Sequence, residues 1–450
     1  MTGEAIVAKL INIEAIDGAD RIKMAKIYGE TVIISTDYNE GDVGVLFDCE
    51  TQLSKEYASE NNLFRHKEYN KDTETVGYLD DNRRVRPIRL KGIQCSGLWM
   101  PLTSLAHFGP KLEQLAPGFQ FQSYQGTEIC KKFVRVVKKS GMSGNQGKAK
   151  KADLVPTFNE HIDTDQFMRN THRLVPGALI TITEKLHGTS CRAGNLPVEQ
   201  SAKWWQKLLR IKPRAEYGHV VGSRRVVKTA GDTEVKGASY YSTDVWTQSA
   251  EVFKGKLEKG ETVYYEILGY LPSEEGNETS AIMGSQSNDK LKKFMDKKDY
   301  KDFVTRYGET TVFSYGCQPG EYKIAVYRMT LQSEDGHVVD YTWDQVKGRC
   351  EKMDVPTVPQ LLPQFVMDSY VDEHYSYEEH LKATINSVET LASSSSTNFP
   401  TQLREGVVVR IDEGTLTPKF LKAKSYLFKV LEGIIKDNPD AVNMEEDQSE

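Results

Sequence analysis

The feature that most constrains this chain is a lysine at the end of a strand-like apolar run, with a glycine three residues later. Residues 179–183 (LITIT) are rich in β-branched side chains, and residues 184–190 (EKLHGTS) follow directly. β-branched residues favour strands, so Lys185 is expected where a buried strand ends. A lysine there can act as a covalent nucleophile, and Gly188 lets the backbone approach a phosphate closely.

A lysine and a glycine at this spacing are common, so the pattern needs support from the rest of the chain. Five further polar or aromatic residues lie in or beside later strand-like runs, in this order: Glu266 (in YYEILG), Tyr327 (in AVYRM), Glu405 (before GVVV), Lys422 and Lys424. The two lysines are two residues apart, so they share one face of a strand and can reach the same phosphates.

This ordered series resembles the motifs of the covalent nucleotidyltransferases, which include RNA ligases, DNA ligases and mRNA capping enzymes. The K-x-H-G-T-S form around Lys185 and the closing K-x-K are similar to the ATP-dependent RNA ligases. The order of modules resembles the fifth, nick-sealing RNA ligase family, and the resemblance covers about residues 5–430. It implies an α+β fold, with an N-terminal OB-type β-barrel followed by an adenylyltransferase domain of antiparallel sheets with flanking helices.

The resemblance also implies ATP, a divalent ion (Mg²⁺ or Mn²⁺) and a set of site residues. The residues expected to be catalytic are Lys185, which would carry AMP, together with Glu405, Lys422 and Lys424. Those expected to bind the nucleotide are Glu184, Leu186, Gly188, Gln166, Arg224, Glu266, Tyr327, Lys422 and Lys424. Glu405 and Glu266 are the candidate metal ligands.

Physical reasoning gives several of these residues a role. An unperturbed lysine has a pKa of about 10.4, so the site has to lower the pKa of its nucleophile, which nearby cations would do by repulsion. Tyr327 offers a ring for stacking on a purine, although Phe313 could stack instead. The polar run 161–166 (HIDTDQ) resembles an element that helps to hold adenine in the family, and the resemblance implies that Gln166 could bond the exocyclic amine. By spacing, Arg224 and Arg225 are equally suited to bind a phosphate.

Four regions are predicted along the chain. Residues 1–125 contain short strand-like runs separated by glycine turns, which suggest a small barrel. In this region residues 14–22 resemble OB-type RNA-binding modules, although a barrel with no nucleic-acid role is the alternative. Residues 126–154 form a basic, glycine-containing linker, which suggests that the units on either side fold separately. Residues 155–432 form the ligase domain, and residues 433–450 form an acidic tail.

Two insertions lengthen the predicted ligase domain. The sequence does not determine how they affect the access of the substrate to the site. Residues 197–216 contain Trp204, Trp205, Leu208 and Leu209, an apolar face at helical spacing. That face predicts a packed surface helix, with an RNA-gripping lid as the alternative. Residues 271–300 are predicted to be a loop and a charged helix.

Composition restricts the remaining possibilities. The net charge is −6, so contact with nucleic acid has to use local basic patches. No apolar stretch is long enough to span a bilayer. The six cysteines occur singly, which argues against a zinc site or a disulfide scaffold and favours a cytoplasmic protein. The expected partner is RNA, or an RNA-containing duplex with 3′-OH and 5′-phosphate ends, and the chain is expected to be a monomer.

Two alternative functions stay open. A capping guanylyltransferase or a DNA ligase carries an OB module after the nucleotidyltransferase domain, and too few residues follow Lys424 to form one. The alternative of another class is a non-catalytic RNA-end-binding protein. The presence of Lys185, Glu266, Glu405 and both motif lysines argues against lost chemistry.

Overall fold

The computed structural model describes residues 3–49, 51–133, 155, 158–198, 216–231, 233–234, 244–272, 280–368 and 376–437. Most of the predicted linker, most of residues 197–216 with its predicted helix, and the acidic tail after residue 437 lie outside these ranges. No helix in the described ranges is both long and apolar enough to cross a membrane. All six cysteines are buried and free of disulfide bonds.

The N-terminal region consists of short strands and one short α-helix. They are β1 (Ala5–Lys9), β2 (Ile13–Ala15), β3 (Ile22–Ile27), β4 (Glu30–Ser35), β5 (Val43–Asp48), β6 (Thr51–Leu53), α1 (Lys55–Glu60), β7 (Ile88–Leu90), β8 (Ile93–Cys95), β9 (Gly97–Pro101), β10 (Gln120–Phe121), β11 (Ser123–Tyr124), β12 (Thr127–Glu128) and β13 (Cys130–Lys132). The largest sheets have the orders β10-β1-β5-β9 and β2-β3-β4.

Both faces of the central strand β1 are buried. Ala5 and Val7 pack into one apolar cluster, whereas Ile6 and Ala8 pack into a second cluster that includes Trp99. Side chains alternate between the two faces of a strand, so a continuous apolar run is buried on both sides. This explains why the first strand-like run lacks polar residues at alternate positions.

The N-terminal sheets extend beyond residue 125, the boundary expected from sequence. Strand β13 pairs with β6, with Cys130 opposite Leu53 and Lys132 opposite Thr51. Residues 130–132, assigned to the linker by composition, therefore belong to the sheets of the N-terminal region.

The described part of the C-terminal region contains longer strands and five α-helices. They are β14 (Asp165–Gln166), β15 (Leu179–Lys185), β16 (Thr189–Val198), β17 (Glu216–Ser223), β18 (Val227–Ala230), β19 (Thr233–Glu234), α2 (Val245–Ala250), β20 (Glu261–Gly269), β21 (Ser285–Ser287), α3 (Lys297–Tyr307), β22 (Thr310–Val312), β23 (Tyr322–Gln332), β24 (Val338–Asp340), α4 (Trp343–Met353), β25 (Phe365–Val366), α5 (Tyr377–Ala392), β26 (Gly406–Asp412), β27 (Lys419–Lys424) and α6 (Tyr426–Asp437).

Two sheets form the framework of the C-terminal region. The larger sheet has the order β19-β18-β17-β16-β20-β23-β24 and is antiparallel, and the smaller has the order β14-β27-β26-β15-β25. The pairing of β14 with β27 is parallel. Every residue of β20 is buried, so this strand lies at the centre of the larger sheet with side chains packed on both faces.

The structure describes only the ends of the first insertion but most of the second. Strands β16 and β17 pair as far as Val198 opposite Glu216, so the ends of the first insertion continue this hairpin. The second insertion was predicted to be a loop and a charged helix; its described part contains strand β21 and a short 3-10 helix (Asn288–Lys293), and only the first turn of α3 lies inside it. Helix α6 continues to Asp437, so the predicted tail begins inside a helix.

Buried ion pairs join the N-terminal region to the C-terminal region. Lys429 Nζ on α6 lies 2.5 Å from Glu30 Oε1, and Arg169 Nη2 lies 3.1 Å from Asp48 Oδ2. Arg84 Nη1 also donates to the carbonyl of Gly433 on α6 at 3.4 Å. A buried charge that loses its partner is costly, so each region stabilises charges of the other.

We expect Glu30→Ala to lower the free energy of unfolding by about 3–5 kcal/mol, because it leaves Lys429 buried without its counter-ion. The matched control is Glu251→Ala, whose carboxylate pairs with the exposed Lys254 at 3.7 Å. That change should cost less than about 1 kcal/mol. Urea denaturation of both variants measures the difference, and similar small losses would contradict a stabilising role for the contact between the two regions.

Candidate active site

An open cleft lies between the two sheets of the C-terminal region, with about 1220 Å³ of empty space that includes its open mouth. Its lining includes Lys132, His161, Asp163, Glu184, Lys185, Leu186, Ser190, Arg224, Tyr264, Glu266, Tyr327, Arg328, Arg410, Phe420, Lys422 and Lys424. Most of the predicted site residues are therefore close together, although they are distant in the sequence.

Strand register aligns the predicted nucleophile with the two charged motifs from the end of the domain. In the order β27-β26-β15, Lys424 is opposite Gly406, which is opposite Lys185. Glu405 directly precedes Gly406, so its carboxylate lies between the two lysines. Its Oε1 is 2.6 Å from Lys185 Nζ and 3.5 Å from Lys424 Nζ.

Glu405 is almost completely buried, with 1% of its surface exposed. Burial raises the pKa of this carboxyl, but the charges of Lys185 and Lys424 and a bond to His187 outweigh burial and hold it below its usual value. The carboxylate is therefore ionised near neutral pH. Lys185 is thus paired with an anion, whereas mainly repulsion from nearby cations was predicted from the sequence.

His187 supports the same carboxylate from a closely packed position. Its Nδ1 lies 3.4 Å from Glu405 Oε2, and its backbone N–H donates to the hydroxyl of Tyr315 at 2.7 Å. Its ring contacts Phe313 and Phe428 edge-on, with centroid distances of 4.7 and 4.9 Å. Phe313 is thereby a packing residue that does not line the described cleft.

The backbone at Gly188 packs tightly against strand β20. A Cβ added there would lie 2.2 Å from the carbonyl oxygen of Ile267 and 2.9 Å from Glu266 Cγ. The close approach of two strands is thus sufficient to require glycine. Contact of this glycine with a phosphate stays a prediction.

Glu266 and Tyr327 lie on adjacent strands and both line the cleft. Ser190 Oγ donates to Glu266 Oε2 at 3.1 Å, and the Tyr327 hydroxyl contacts His161 Nδ1. Burial, together with the charges of Arg192 and other arginines, holds the pKa of His161 well below its usual value. The imidazole is therefore neutral, and its Nδ1 can accept the hydroxyl proton of Tyr327.

The residues of the segment before β14 that line the cleft precede Gln166, the residue predicted to do so. His161, Asp163 and their neighbours line it, whereas Gln166 is not among its lining residues in the described part of the chain. Gln166 pairs with Lys422 through the backbone of β14, and its carbonyl accepts from Asn170 at 2.8 Å. Because Gln166 is part of this parallel pairing, it does not line the cleft as predicted.

Arg224 is the better placed of the two predicted arginines. It lines the cleft, and its Nη2 lies 2.5 Å from Asp163 Oδ1, whereas Arg225 is exposed. Their equal sequence spacing could not separate them. Asp163 itself was a sequence signal, because it lies in the polar run that includes Gln166.

Glu184 and Leu186 also line the cleft, on either side of Lys185. Leu186 is part of the main apolar core. The Glu184 carboxylate accepts from the backbone N–H of Thr397 at 2.9 Å and lies 3.7 Å from Arg404 Nε. Its charge therefore stabilises the loop before β26 as well as the position of β15.

The N-terminal region contributes Lys132 to the cleft. This lysine belonged to the basic run that the sequence analysis assigned to the linker. Its position at the end of β13 could not be predicted from composition, because the pairing of β13 with β6 is long-range.

The donor set suits a divalent ion that is shared with a substrate. The described residues contain no group of three or more His, Cys, Asp or Glu side chains that could hold a metal ion. Glu405 and Glu266 are nevertheless buried carboxylates that line or border the cleft. Mg²⁺ commonly binds one or two protein carboxylates together with substrate phosphates, and the site fits that arrangement.

Comparison with known proteins supports the architecture. No curated protein sequence matches this chain. A family model described as an OB-fold domain matches residues 5–102. The chain is similar to the solved structure of Naegleria gruberi RNA ligase with PPi, at 15% identity, a TM-score of 0.56, and coverage of 95% of this chain and 98% of that chain.

A variant of the same N. gruberi RNA ligase with ATP and Mn gives 16% identity, a TM-score of 0.54, and coverage of 94% of this chain and 98% of that chain. The chain has the fold of this RNA ligase. The predicted α+β class is confirmed, as is the predicted N-terminal OB-type module.

We expect Gly188→Ala to destabilise the protein by about 1–3 kcal/mol, because the added methyl group overlaps the carbonyl oxygen of Ile267. The matched control is Gly348→Ala in helix α4, where a Cβ would meet nothing within 4 Å. Alanine is the better helix former, so that change should stabilise by about 0.5–1 kcal/mol. Unfolding in urea measures both, and a Gly188→Ala protein as stable as the parent would contradict the packing explanation.

Proposed function

We propose that this chain is an ATP-dependent RNA ligase that joins 3′-OH and 5′-phosphate ends through a lysyl-AMP and an adenylylated 5′-end. The observation that carries the proposal is the array in which Glu405 Oε1 lies 2.6 Å from Lys185 Nζ and 3.5 Å from Lys424 Nζ, beside an open cleft that both lysines line. The fold shared with an RNA ligase supports it.

In the first step Lys185 Nζ attacks the α-phosphorus of ATP. The N–P bond forms as the bond from that phosphorus to the pyrophosphate oxygen breaks, and pyrophosphate leaves. The ammonium has to lose a proton before attack, and Glu405 at 2.6 Å is the nearest acceptor. Lys422 and Lys424 offset the charge that develops on the phosphate oxygens.

The other lining residues suit recognition of the nucleotide. The Tyr327 ring offers a face for the purine, and its hydroxyl is oriented by His161. Glu266 suits a ribose hydroxyl or a metal-bound water, and Arg224 suits a phosphate. Glu184, Leu186 and Gly188 border the nucleophile. A role for Gln166 has no support from its position, and the segment 161–164 is the better candidate for contact with adenine.

A divalent ion, Mg²⁺ or Mn²⁺, would be held by Glu405 or Glu266 together with phosphate oxygens of ATP. When bound, it would neutralise phosphate charge. The similar N. gruberi structures include forms with ATP and Mn, which is consistent with this donor set.

In the second step the RNA 5′-phosphate attacks the phosphorus of lysyl-AMP, and the N–P bond to Lys185 breaks. In the third step a 3′-OH attacks the adenylylated 5′-end, the phosphodiester forms and AMP leaves. The OB-type module is suited to hold the polynucleotide, and Lys132 brings a positive charge from this module to the cleft. We propose that the protein seals nicks, as a cytoplasmic monomer.

We expect Lys185→Ala to abolish the covalent adduct that the parent protein forms with α-labelled ATP and magnesium, because the only proposed nucleophile is removed. Lys419→Ala is the control, since Lys419 lies on the same strand as Lys424 but pairs with Glu413. Label retained on denatured Lys185→Ala protein would contradict the assignment. Labelled GTP, run in parallel, should give at least about tenfold less adduct; equal or greater labelling would favour a capping-type enzyme.

We expect a nicked RNA duplex with 3′-OH and 5′-phosphate ends to be sealed at least about tenfold faster than the same strands without a template, because the template holds the ends in line. Gel electrophoresis of a 5′-labelled strand measures both rates. Equal or faster joining of single strands would contradict nick sealing and leave the ligase assignment intact. An adduct without any joining of RNA or DNA would contradict the ligase assignment.

A further inference from the structure

A second carboxylate, besides that of Glu405, binds Lys424. The two oxygens of Glu432, on helix α6, accept from Lys424 Nζ at 3.1 and 3.0 Å. The carboxylate of Glu405 is more distant, at 3.5 Å. Lys185, Glu405, Lys424 and Glu432 thus form a row of alternating charge that crosses from strand β15 to helix α6.

Every member of this row is at least four-fifths buried. The side chain of Lys424 is 5% exposed and that of Glu432 is 10% exposed. Solvent screens a buried charge pair only weakly. The loss of one partner therefore changes the interactions among the remaining charges. Without Glu432, the ammonium of Lys424 would lose one of its two described carboxylate contacts, would be drawn towards Glu405, and would compete there with Lys185.

Helix α6 is itself fixed at three points close to Glu432. Lys429, one turn earlier, is paired with Glu30 of the N-terminal region at 2.5 Å. The carbonyl of the next residue, Gly433, accepts from Arg84. Phe428 packs its ring against His187 beside the nucleophile. A helix held in this way can keep its carboxylate in one place. The four-carbon side chain of a lysine is flexible and cannot fix the position of its own ammonium.

We propose that Glu432 is a positioning residue for adenylylation, which holds the ammonium of Lys424 between two carboxylates so that it faces the phosphates of the nucleotide. This inference rests on the proposed function. Preorganised charge lowers a barrier because it need not reorient as the transition state forms. The helix that carries Glu432 is in turn held against the N-terminal region by Lys429 and Gly433.

The test is the rate of lysyl-AMP formation in a single turnover, measured over a range of ATP concentrations for the full chain. Glu432→Gln should lower the maximal rate about tenfold or more while changing the ATP concentration at half-maximal rate less than about threefold. Glu432→Asp, which keeps the charge, should recover most of the rate. Each protein should still reach full labelling at the end point.

The matched control is Glu413→Gln. Glu413 binds Lys419 with both oxygens, at 2.9 and 2.7 Å, and Lys419 lies on the same strand as Lys424 but outside the lining of the cleft. This variant should label at the parental rate. An equal loss of rate in both variants would reduce Glu432 to a general stabilising contact and overturn the inference.

The remaining outcomes separate the inference from the proposed function. If the parent protein labels and Glu432→Gln labels at the same rate, positioning by Glu432 is wrong and the ligase assignment is unaffected. If Glu432→Gln lowers only the fraction labelled at the end point, at an unchanged rate, its role is in folding and the inference is again wrong. If the parent protein forms no adduct, the proposed function fails and the inference fails with it.

Discussion

The carboxylate of Glu405 is the group on which the arrangement of the site depends. It is buried, ionised and bonded to cations from two different strands, Lys185 at 2.6 Å and Lys424 at 3.5 Å. Two lysines placed this close would repel each other in a weakly screened setting. The anion between them lets the two lysines share one site.

The position of Glu405 follows from the register of three adjacent strands. Lys185 ends β15, Gly406 begins β26 and Lys424 ends β27, and the three are paired side by side. A shift of one residue in either pairing would turn the affected side chains to the opposite face of the sheet. The buried alternation of valine and isoleucine in β26 resists such a shift, since it would expose apolar side chains. In this sheet the packing of the core and the geometry of the site therefore depend on the same strand register.

Sequence reasoning identified the groups whose signal is local. Lys185 after an apolar strand, Glu405 before a valine run and Lys424 in a period-two pair were all predicted, and the structure brings them together. It failed where the signal is long-range. Gln166 was predicted to contact adenine, but His161 and Asp163 line the cleft instead, because the parallel pairing of β14 with β27 is not visible in the sequence. The pairing of β13 with β6 and the contact of Glu30 with Lys429 join residues far apart, and composition assigned the nearby segments to a linker and a tail. Glu432 was missed for another reason, since it lies only eight residues after Lys424 but in a helix outside the recognised motifs.

The central claim is that Lys185 carries the nucleotide, and the most direct measurement is peptide mass mapping of the parent protein after incubation with ATP and magnesium. The account predicts one AMP per chain, on the peptide that contains Lys185. An unmodified chain, or AMP on a peptide that lacks Lys185, would contradict it.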